Sequence, residues 1–190
     1  MLELLIPLNL QLNHHLIERA WEDAQFQQQL VSQPQKTLEK ALNIQLSDQV
    51  TYQVLTDESA SFHLVLPYVI GGISVNEKQK IYQQAAAQYD SSWQAQLVAL
   101  FEKTEDRDFK QALIQSPKNT LSEFLGLRLP DEIHIHLFEN SATRRYIVLP
   151  FNPTLQKSNV KKTINEFDLA LLAGAISSAP VTCEDTKRKC

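Results

Sequence analysis

Cysteine is absent from the first 182 residues of this 190-residue chain, and both cysteines, Cys183 and Cys190, lie in the last eight. A thiolate metal site and a stabilising disulfide are therefore excluded from most of the chain. Glycine is also scarce, with four residues in all, and the sequence contains neither a glycine-rich phosphate loop nor a G-x-S-x-G motif. The signatures of a phosphate-loop nucleotide site and of a serine hydrolase are thus missing.

Strong charge and long apolar runs are lacking as well. The formal net charge is −4 and no long basic block occurs, which argues against a general nucleic-acid role. No run approaches the roughly 18 apolar residues of a membrane span, and the opening MLELLIPLNL lacks the basic region and cleavage site of a secretory signal. We expect a globular cytoplasmic protein with no nucleic-acid partner and no membrane partner.

The chain contains an internal repeat, because residues 23–67 align without gaps on residues 106–150 at an offset of 83. The segment DAQFQQQLVSQPQKTLEKALNIQLSD lies over DRDFKQALIQSPKNTLSEFLGLRLPD, and FHLVLP lies over RYIVLP. The identical pairs include Asp23 and Asp106, Phe26 and Phe109, Leu30 and Leu113, Pro34 and Pro117, Leu38 and Leu121, and Leu42 and Leu125. A shared register of this length indicates a duplicated unit.

Each copy predicts two helices. In the first helix of the pair, apolar residues recur three and four positions apart, which is the spacing of one helical face. In the second copy the next helix starts at Ser116, a good N-cap residue, and at Pro117, which suits the first helical position. It ends at Gly126, where the first copy has Asn43. These are the two residue types that best adopt the left-handed conformation at a helix end.

Two short strands follow the helices of each copy. Apolar and polar residues alternate in the segment Ile133, His134, Ile135, His136 and Leu137, and the equivalent segment of the first copy alternates likewise. A polar turn then leads to a short apolar strand that ends at a proline. We therefore expect an α+β fold of two repeated helix-helix-strand-strand units, followed by a flexible C-terminal tail.

The sequence also predicts several elements outside the repeat. YVIGGISV predicts one more strand with a bend at its two glycines, and EKQKIYQQAAAQY predicts a helix. A further helix is predicted from Trp93 towards Lys103. After Pro153 the composition becomes that of a polar linker, and INEFDLALLAGA predicts a short amphipathic helix.

The repeated unit DxxFxxxLxxxPxxTLxxxLxLxLPD, followed by a strand pair ending in VLP, resembles the nitrile hydratase-like leader peptides of proteusin-type precursors. Such precursors of ribosomally synthesised and post-translationally modified peptides, or RiPPs, carry a folded leader that is removed after enzymes have altered a short C-terminal core. The resemblance implies a nitrile hydratase alpha-like leader fold without catalytic activity. Two copies depart from the single unit it leads us to expect, and the second copy is closer to the pattern.

The resemblance divides the chain into five parts. They are the first leader-like repeat at 1–67, a connecting strand and helices at 68–105, the second repeat at 106–153, a linker and cleavage-recognition helix at 154–175, and the core peptide at 176–190. We favour the second repeat as the recognised unit because it is nearer the core. Its apolar residues assigned to leader recognition are Phe109, Leu113, Leu121 and Leu125.

An enzymatic role has little support from the residues. Nitrile hydratase holds its metal with closely spaced cysteines, and neither repeat has any. His134 and His136 share one strand face and could surround a metal with His63, but an ordinary exposed polar face is the favoured interpretation. Trp21 and Trp93 are most simply core or helix-packing residues. We expect no catalytic residue, no cofactor and no metal.

A candidate cleavage site precedes the cysteines. Peptidases that mature such precursors recognise an amphipathic helix with a pattern resembling L-S-x-x-E-L-x-x-I-x-G-G. Over INEFDLALLAGA this pattern assigns recognition to Ile164, Asp168, Leu169 and Leu172, and cleavage to Gly174 and Ala175. Plain helix termination is the alternative for a Gly-Ala pair. Cleavage after Ala175 releases the fifteen-residue core ISSAPVTCEDTKRKC.

The core has the parts for thioether rings, in which a cysteine thiolate adds to a dehydrated serine or threonine. The candidate ring-forming residues are Ser177, Ser178, Thr182, Thr186, Cys183 and Cys190. Short closures favour one ring from Ser177 or Ser178 to Cys183 and another from Thr186 to Cys190. Arg188 is a candidate for conversion to ornithine, a change known from proteusin-like precursors.

The resemblance implies as partners a lanthionine synthetase or other RiPP-modifying enzyme and a double-glycine-type peptidase/transporter. A radical SAM epimerase and a peptide arginase are further candidates. The precursor is expected in the cytoplasm, and the mature core would be exported. Two alternatives stay open: a non-catalytic interaction module with a disordered Cys-containing tail, and a degenerate nitrile hydratase-like subunit.

Overall fold

The computed structural model of the chain describes residues 14–87, 89 and 94–152. The helices are α1 (His14–Glu22), α2 (Ala24–Ser32), α3 (Pro34–Leu42), α4 (Val75–Ala86), α5 (Gln94–Lys103), α6 (Arg107–Gln115) and α7 (Pro117–Leu125). The strands are β1 (Thr51–Thr56), β2 (Ser61–Leu66), β3 (His134–Glu139) and β4 (Arg144–Leu149). The expected mixture of helices and strands is confirmed. No helix within the described ranges is long and apolar enough to cross a membrane.

Local capping explains the two helical pairs α2–α3 and α6–α7. The carboxylates of Asp23 and Asp106 accept backbone N–H groups in the first turns of α2 and α6. Helices α3 and α7 each begin at a proline, and Ser116 lies at the N-cap of α7 without a side-chain capping bond. Both end in the left-handed conformation, at Asn43 with φ 53° and at Gly126 with φ 65°.

The element bounds follow the spacing of the sequence alignment. Helices α6 and α7 and strands β3 and β4 begin and end 83 positions after α2, α3, β1 and β2, as in 107 − 24 and 134 − 51. Corresponding elements therefore have equal lengths. The same short-range sequence signals produce the same local structure at two places in the chain.

The strands pair between the two copies and not within them. Strand β1 lies parallel to β4, with Thr51 opposite Arg144, and β2 lies parallel to β3, with Ser61 opposite His134. An offset of 83 converts the first of these residue pairs into the second, so the two ladders are equivalent. Within each copy, the described strands form no hairpin ladder. The copies therefore interlock.

Buried turn residues separate consecutive strands. The Oδ1 atom of Asp57 accepts the backbone N–H of His63 at 2.9 Å, and the Oδ1 atom of Asn140 accepts that of Tyr146 at 2.8 Å. Asp57 is 6% exposed and Asn140 is 9% exposed. Because each side chain takes an N–H that a hairpin partner would need, β2 and β4 are left to pair on their other edges.

The buried apolar side chains of the described residues form four clusters, of which a small one contains Phe62 and Ile133. The first half of the molecule, defined as α1–α3 with one face of β1 and β4, encloses Leu30 and Leu38. The second half, defined as α4–α7 with one face of β2 and β3, encloses Leu113 and Leu121. A smaller cluster around Val65 joins the ladders through their other faces. Each helical layer thus covers a ladder built from both copies.

The additional strand predicted from YVIGGISV is wrong. Strand β2 ends at Leu66, and the following Pro67 has no N–H to extend a ladder. Gly72 then adopts φ 80° in a turn, and the chain enters α4 through a capping box between Ser74 and Glu77. The helix predicted from EKQKIYQQAAAQY is present as α4, and the helix predicted towards Lys103 is present as α5.

Trp21 joins the start of the described chain to its end. The side chain is half-buried, and its Nε1–H donates a hydrogen bond of 2.9 Å to the carbonyl of Pro150. This bond places the end of β4 beside α1. Trp93, the second predicted packing residue, lies outside the described residues.

Candidate functional site

Three histidines share the polar face of the β2–β3 ladder. His63 stands opposite His136, and Ser61 stands opposite His134. The rings of His63 and His136 stack, with centroids 5.4 Å apart and an interplanar angle of 28°. His134 and His136 are exposed, whereas the side chain of His63 is 15% exposed. Strand alternation therefore brings the histidines to one face, as the sequence predicts.

A buried carboxylate orients one of these imidazoles. The Nδ1 atom of His63 lies 2.7 Å from Oδ1 of Asp57, the oxygen that also accepts the backbone N–H of His63. Burial raises the pKa of Asp57 above its usual value, and the hydrogen bonds from His63 oppose that rise. Asp57 thus fixes the position of the His63 ring at some cost in desolvation.

The second imidazole contacts a hydroxyl group. The Nε2 atom of His136 lies 3.0 Å from Oγ of Ser61. His63 and His136 meet through their ring faces, so no continuous hydrogen-bond relay joins Asp57 to Ser61. In residues 14–87, 89 and 94–152, no three His, Cys, Asp or Glu side chains come together as metal ligands. The arrangement orients polar groups at a strand face and does not form a Ser-His-Asp triad.

Asp57 is absent from the sequence-based predictions. The signal that could have identified it is the alignment of TDESAS with ENSATRR, which places Asp57 on Asn140 at the turn of each copy. Both residues offer a carbonyl-type oxygen at Cγ, which is the atom the fold requires there. The carboxylate in the first copy gains a second contact because His63 stands where the second copy has Tyr146.

Substitutions at Asp57 should separate its acceptor role from its charge. We expect Asp57→Ala to lower the free energy of unfolding by about 1–3 kcal/mol, because the donors of His63 lose their buried acceptor. Asp57→Asn keeps an acceptor, as Asn140 does, and should cost less than about 1 kcal/mol at pH 7. Urea unfolding followed by circular dichroism measures both. Equal losses in the two variants would contradict the acceptor role.

The pH dependence of the same variants tests the buried charge. Because the folded-state pKa of Asp57 is raised, the native state keeps this proton to higher pH than the unfolded state does. The contribution of Asp57 to stability therefore falls as pH rises from the ordinary carboxyl range through the raised pKa. We expect Asp57→Asn to remove this fall. An unchanged difference between wild type and variant across that window would show that burial does not perturb Asp57.

A groove of about 360 Å³ lies along β3, next to the junction of α6 and α7. Its apolar lining consists of Leu66, Ile114, Pro117, Ile135, Leu137 and Phe138. Ile114 is 57% exposed, which is unusual for a large apolar side chain. Glu139, also in the lining, pairs with Lys110. The groove is therefore a mixed surface, in which apolar side chains lie beside His136 and a charged pair.

The two copies differ in the exposure of the apolar residues on their first strands, β1 and β3. The apolar residues that β3 contributes to the groove are half-buried, whereas their counterparts on β1, Tyr52, Val54 and Leu55, are 6%, 6% and 7% exposed. Val31, the counterpart of Ile114, is 46% exposed. The second copy thus presents more apolar surface along its first strand than the first copy does.

The four residues assigned to leader recognition lie inside the second half. Leu113 is 0% exposed and Leu121 is 7% exposed, while Phe109 and Leu125 are half-buried. A partner that leaves the fold intact cannot reach Leu113 or Leu121 directly. Ile114, which follows Leu113 in α6, is the exposed neighbour of these residues, and their role in leader recognition stays a prediction.

The predicted cleavage and core residues lie outside the described residues. This applies to the recognition residues Ile164, Asp168, Leu169 and Leu172, to the cleavage pair Gly174 and Ala175, and to the core residues Ser177, Ser178, Thr182, Cys183, Thr186, Arg188 and Cys190. These assignments stay predictions from the sequence.

Residues 91–170 match the family model described as nitrile hydratase, alpha chain. The chain therefore contains a nitrile hydratase alpha-like domain. The match includes α5, the second copy and the segment that follows it, and it covers less than half of the chain. The expectation of a nitrile hydratase alpha-like fold is confirmed at this level. A comparison with curated proteins finds no match.

Solved structures similar to the chain include two enzymes. A double mutant of the Fe-type nitrile hydratase from Comamonas testosteroni Ni1 is 19% identical, with a TM-score of 0.48 over 93% of this chain and 79% of that chain. A mutant of thiocyanate hydrolase is 18% identical, with a TM-score of 0.47 over 92% of this chain and 78% of that chain.

The donor atoms of the nitrile hydratase alpha-like domain do not fit a thiolate-held metal. Residues 91–170 contain no cysteine, and soft thiolates have no substitute among the residues present. The histidines of this domain, His134 and His136, lie on an exposed strand face without a third ligand among the described residues. The residues that match the family model therefore offer no thiolate to a metal.

Proposed function

We propose that this chain is the precursor of a ribosomally synthesised, lanthionine-containing peptide, and that its folded part is a leader for modifying enzymes. The observation that carries the proposal is the separation of fold from thiols. The nitrile hydratase alpha-like domain has no cysteine, and both cysteines lie in the fifteen residues after the Gly174-Ala175 pair. The body then delivers a substrate and does not catalyse a reaction itself.

The second copy is the recognised unit in this proposal. It belongs to the segment that matches the alpha-chain family model, and it carries the open groove along β3. Ile114 and the half-buried residues of β3 offer a lanthionine synthetase an apolar anchoring site. Docking there raises the effective concentration of the tail at the enzyme to about the millimolar range, so weak contacts by the core suffice.

The chemistry on the tail follows from its hydroxyl and thiol groups. Loss of water from a serine or threonine, such as Ser178 or Thr186, leaves a carbon-carbon double bond between Cα and Cβ. The thiolate of Cys183 or Cys190 then forms an S–Cβ bond, and Cα takes up a proton. Each ring therefore costs one water molecule and one free thiol. The preferred pairs join Ser177 or Ser178 to Cys183, and Thr186 to Cys190.

Mass spectrometry of the full chain tests the proposal. We expect that co-expression with a lanthionine synthetase encoded beside it yields a product that has lost at least two waters and reacts with no thiol-alkylating reagent. A variant with both cysteines changed to alanine should still lose water but form no ring, because the nucleophiles are gone.

Two results would contradict the precursor role. One is a native chain whose two cysteines remain fully alkylatable and whose mass is unmodified in the cells that produce it. The other is purification of the native chain as a stable stoichiometric subunit of a hydratase, which would favour the degenerate subunit.

A further inference from the structure

Helix α4 covers the second half by packing on α5. The ring of Tyr82 lies 6.2 Å from that of Phe101, and the Tyr82 hydroxyl donates a hydrogen bond of 2.8 Å to Glu105. Lys78 forms a 2.8 Å ion pair with the same carboxylate. Phe101 is 0% exposed beneath this helix. The buried residues of α4 are Ile81, Tyr82, Ala85 and Ala86.

Helix α1 precedes α2 as α5 precedes α6, and each places a cation over an equivalent ring. The guanidinium of Arg19 lies over the ring of Phe26 at 4.2 Å, and the ammonium of Lys103 lies over the ring of Phe109 at 5.8 Å. Phe26 and Phe109 are equivalent residues of the two copies. Superposing these contacts sets α1 on α5 at an offset of 84, from 103 − 19.

The face of α1 that corresponds to the α4 side of α5 carries two large half-buried apolar side chains beside Glu18. At the offset of 84, Ile17 corresponds to Phe101 and Trp21 corresponds to Glu105. Ile17 and Trp21 are both half-buried, in contrast to the fully buried Phe101. Among the described residues, no helix packs on α1 as α4 packs on α5. We name this surface the α1 face and define it by Ile17 and Trp21.

The chain leaves the described region beside this face. The Trp21 Nε1–H holds the carbonyl of Pro150 at 2.9 Å. Helix α4 follows β2, so the equivalent helix of the first half would follow β4. The capping residue Ser74 comes eight positions after the end of β2 at Leu66. Residue 163 comes fourteen positions after the end of β4 at 149, which gives a connection at least as long.

The segment after β4 repeats the sequence features of α4. Residues 163–175 read TINEFDLALLAGA, and residues 74–86 read SVNEKQKIYQQAA. Thr163 and Glu166 reproduce the capping-box spacing that Ser74 and Glu77 use. The positions that are buried in α4 correspond to Ala170, Leu171, Gly174 and Ala175, all small or apolar.

The ion pair between α4 and α5 corresponds to a pair of aromatic residues in the first half. In the second half, Lys78 and Glu105 form an ion pair. In the first half, Phe167 corresponds to Lys78 and Trp21 corresponds to Glu105. An ion pair is thus exchanged for two aromatic side chains, which also attract each other when packed.

We propose that residues 164–175 dock on the α1 face of the same chain as a helix, in the place that α4 occupies on α5. Leu171 packs on Ile17, and Phe167 packs on Trp21. This docking goes beyond the proposed precursor role and does not depend on it, because it rests on the equivalence of the two halves and requires no modifying enzyme.

Docking and peptidase recognition share part of one helix face. In the proposed docking Phe167, Leu171 and Gly174 face α1, and Ile164, seven positions before Leu171, lies on the same face. Leu172 of the recognition pattern points about a third of a turn away. Gly174 and Ala175 correspond to Ala85 and Ala86, which are 5% and 0% exposed. The proposed docking therefore covers the cleavage pair.

Two adjacent leucines provide the test. We expect Leu171→Arg to abolish docking and Leu172→Arg to leave it intact, because Leu172 corresponds to the exposed Gln83. Hydrogen exchange on the full chain, read by mass spectrometry, should show amides 164–175 protected at least about tenfold in wild type and in Leu172→Arg. In Leu171→Arg this protection should disappear, and exchange in α1 should rise.

A third variant tests the register. Asp168 falls opposite Glu18, where α4 has Gln79 bonded to Glu102. In the docked helix the carboxylates of Asp168 and Glu18 would repel each other. Asp168→Gln removes this repulsion and should increase the protection of residues 164–175 by about twofold to threefold. In a Trp93→Phe background, Trp21 is the single tryptophan, and its emission should shift to the red only in Leu171→Arg.

Four outcomes would overturn the proposal. They are unprotected amides at 164–175 in wild type, equal effects of Leu171→Arg and Leu172→Arg, loss of α1 protection on deletion of residues 1–13 with no effect of Leu171→Arg, and protection that depends on protein concentration. The third outcome assigns the α1 face to the N-terminal segment, and the fourth assigns it to a second copy. None of them involves modification of the tail, so failure of this inference leaves the precursor role untouched.

Discussion

Replacing Ile114 by glutamate should nearly abolish modification of the tail by the synthetase. Ile114 is a large apolar residue of the groove lining that is 57% exposed, and an anchoring residue at the centre of an interface contributes about 2 kcal/mol or more. Affinity should therefore fall by roughly thirtyfold or more. The measurement is the fraction of dehydrated full-length chain after co-expression, together with the affinity of the two purified proteins.

The matched control for this variant is Val31→Glu. Val31 occupies the equivalent position on α2 and is 46% exposed, so both substitutions introduce a charge at an exposed helical site. We expect Val31→Glu to retain modification within about twofold of wild type, because the apolar residues of β1 are buried and offer a partner little surface. Equal loss in both variants would show that the two copies bind together. No loss in either would place recognition elsewhere.

Surface substitutions are needed here because deletions are ambiguous. Removing residues 106–150 would take away β3 and β4, which are the ladder partners of β2 and β1. The first copy would then be left with two unpaired strands and an exposed apolar face. Loss of modification after such a deletion would report unfolding as readily as loss of recognition.

Replacing either of two buried leucines by alanine should destabilise the whole described body in one transition. Leu30 and Leu113 are equivalent residues, and each is 0% exposed. Removal of a buried leucine side chain costs about 2–5 kcal/mol. Because each helical layer packs on a ladder built from both copies, neither half can unfold and leave the other intact. We expect Leu30→Ala and Leu113→Ala to lower the same denaturation midpoint.

Unfolding in urea, followed by circular dichroism and by tryptophan fluorescence, measures this coupling. The control is Gln111→Ala, an exposed position in α6 that should change the free energy of unfolding by less than about 0.5 kcal/mol. Two separate transitions, of which each variant shifts only one, would contradict the interlocked arrangement of the copies.

The groove and the histidine face differ in how far the sequence predicts them. Alternation along IHIHL predicts an exposed face for His134 and His136, because side chains of a strand point alternately to its two sides. It does not predict that His63 stacks on His136, since that contact requires the pairing of β2 with β3. Likewise, Ile114 belongs by type to a core, and its exposure follows only from how α6 sits on β3.

The amino-acid sequence by itself predicted the two helices and two strands of each copy, their 83-residue spacing and the placement of both thiols in the last eight residues. Helix caps, prolines and left-handed helix ends depend on a few neighbouring residues, so the sequence predicts them directly. The tertiary structure decided the strand partners. Backbone hydrogen bonds do not depend on the identity of the side chains, and the same apolar alternation is compatible with a hairpin or with a ladder between copies. Buried acceptors at Asp57 and Asn140, with the packing of both ladders around Val65, select the interlocked arrangement.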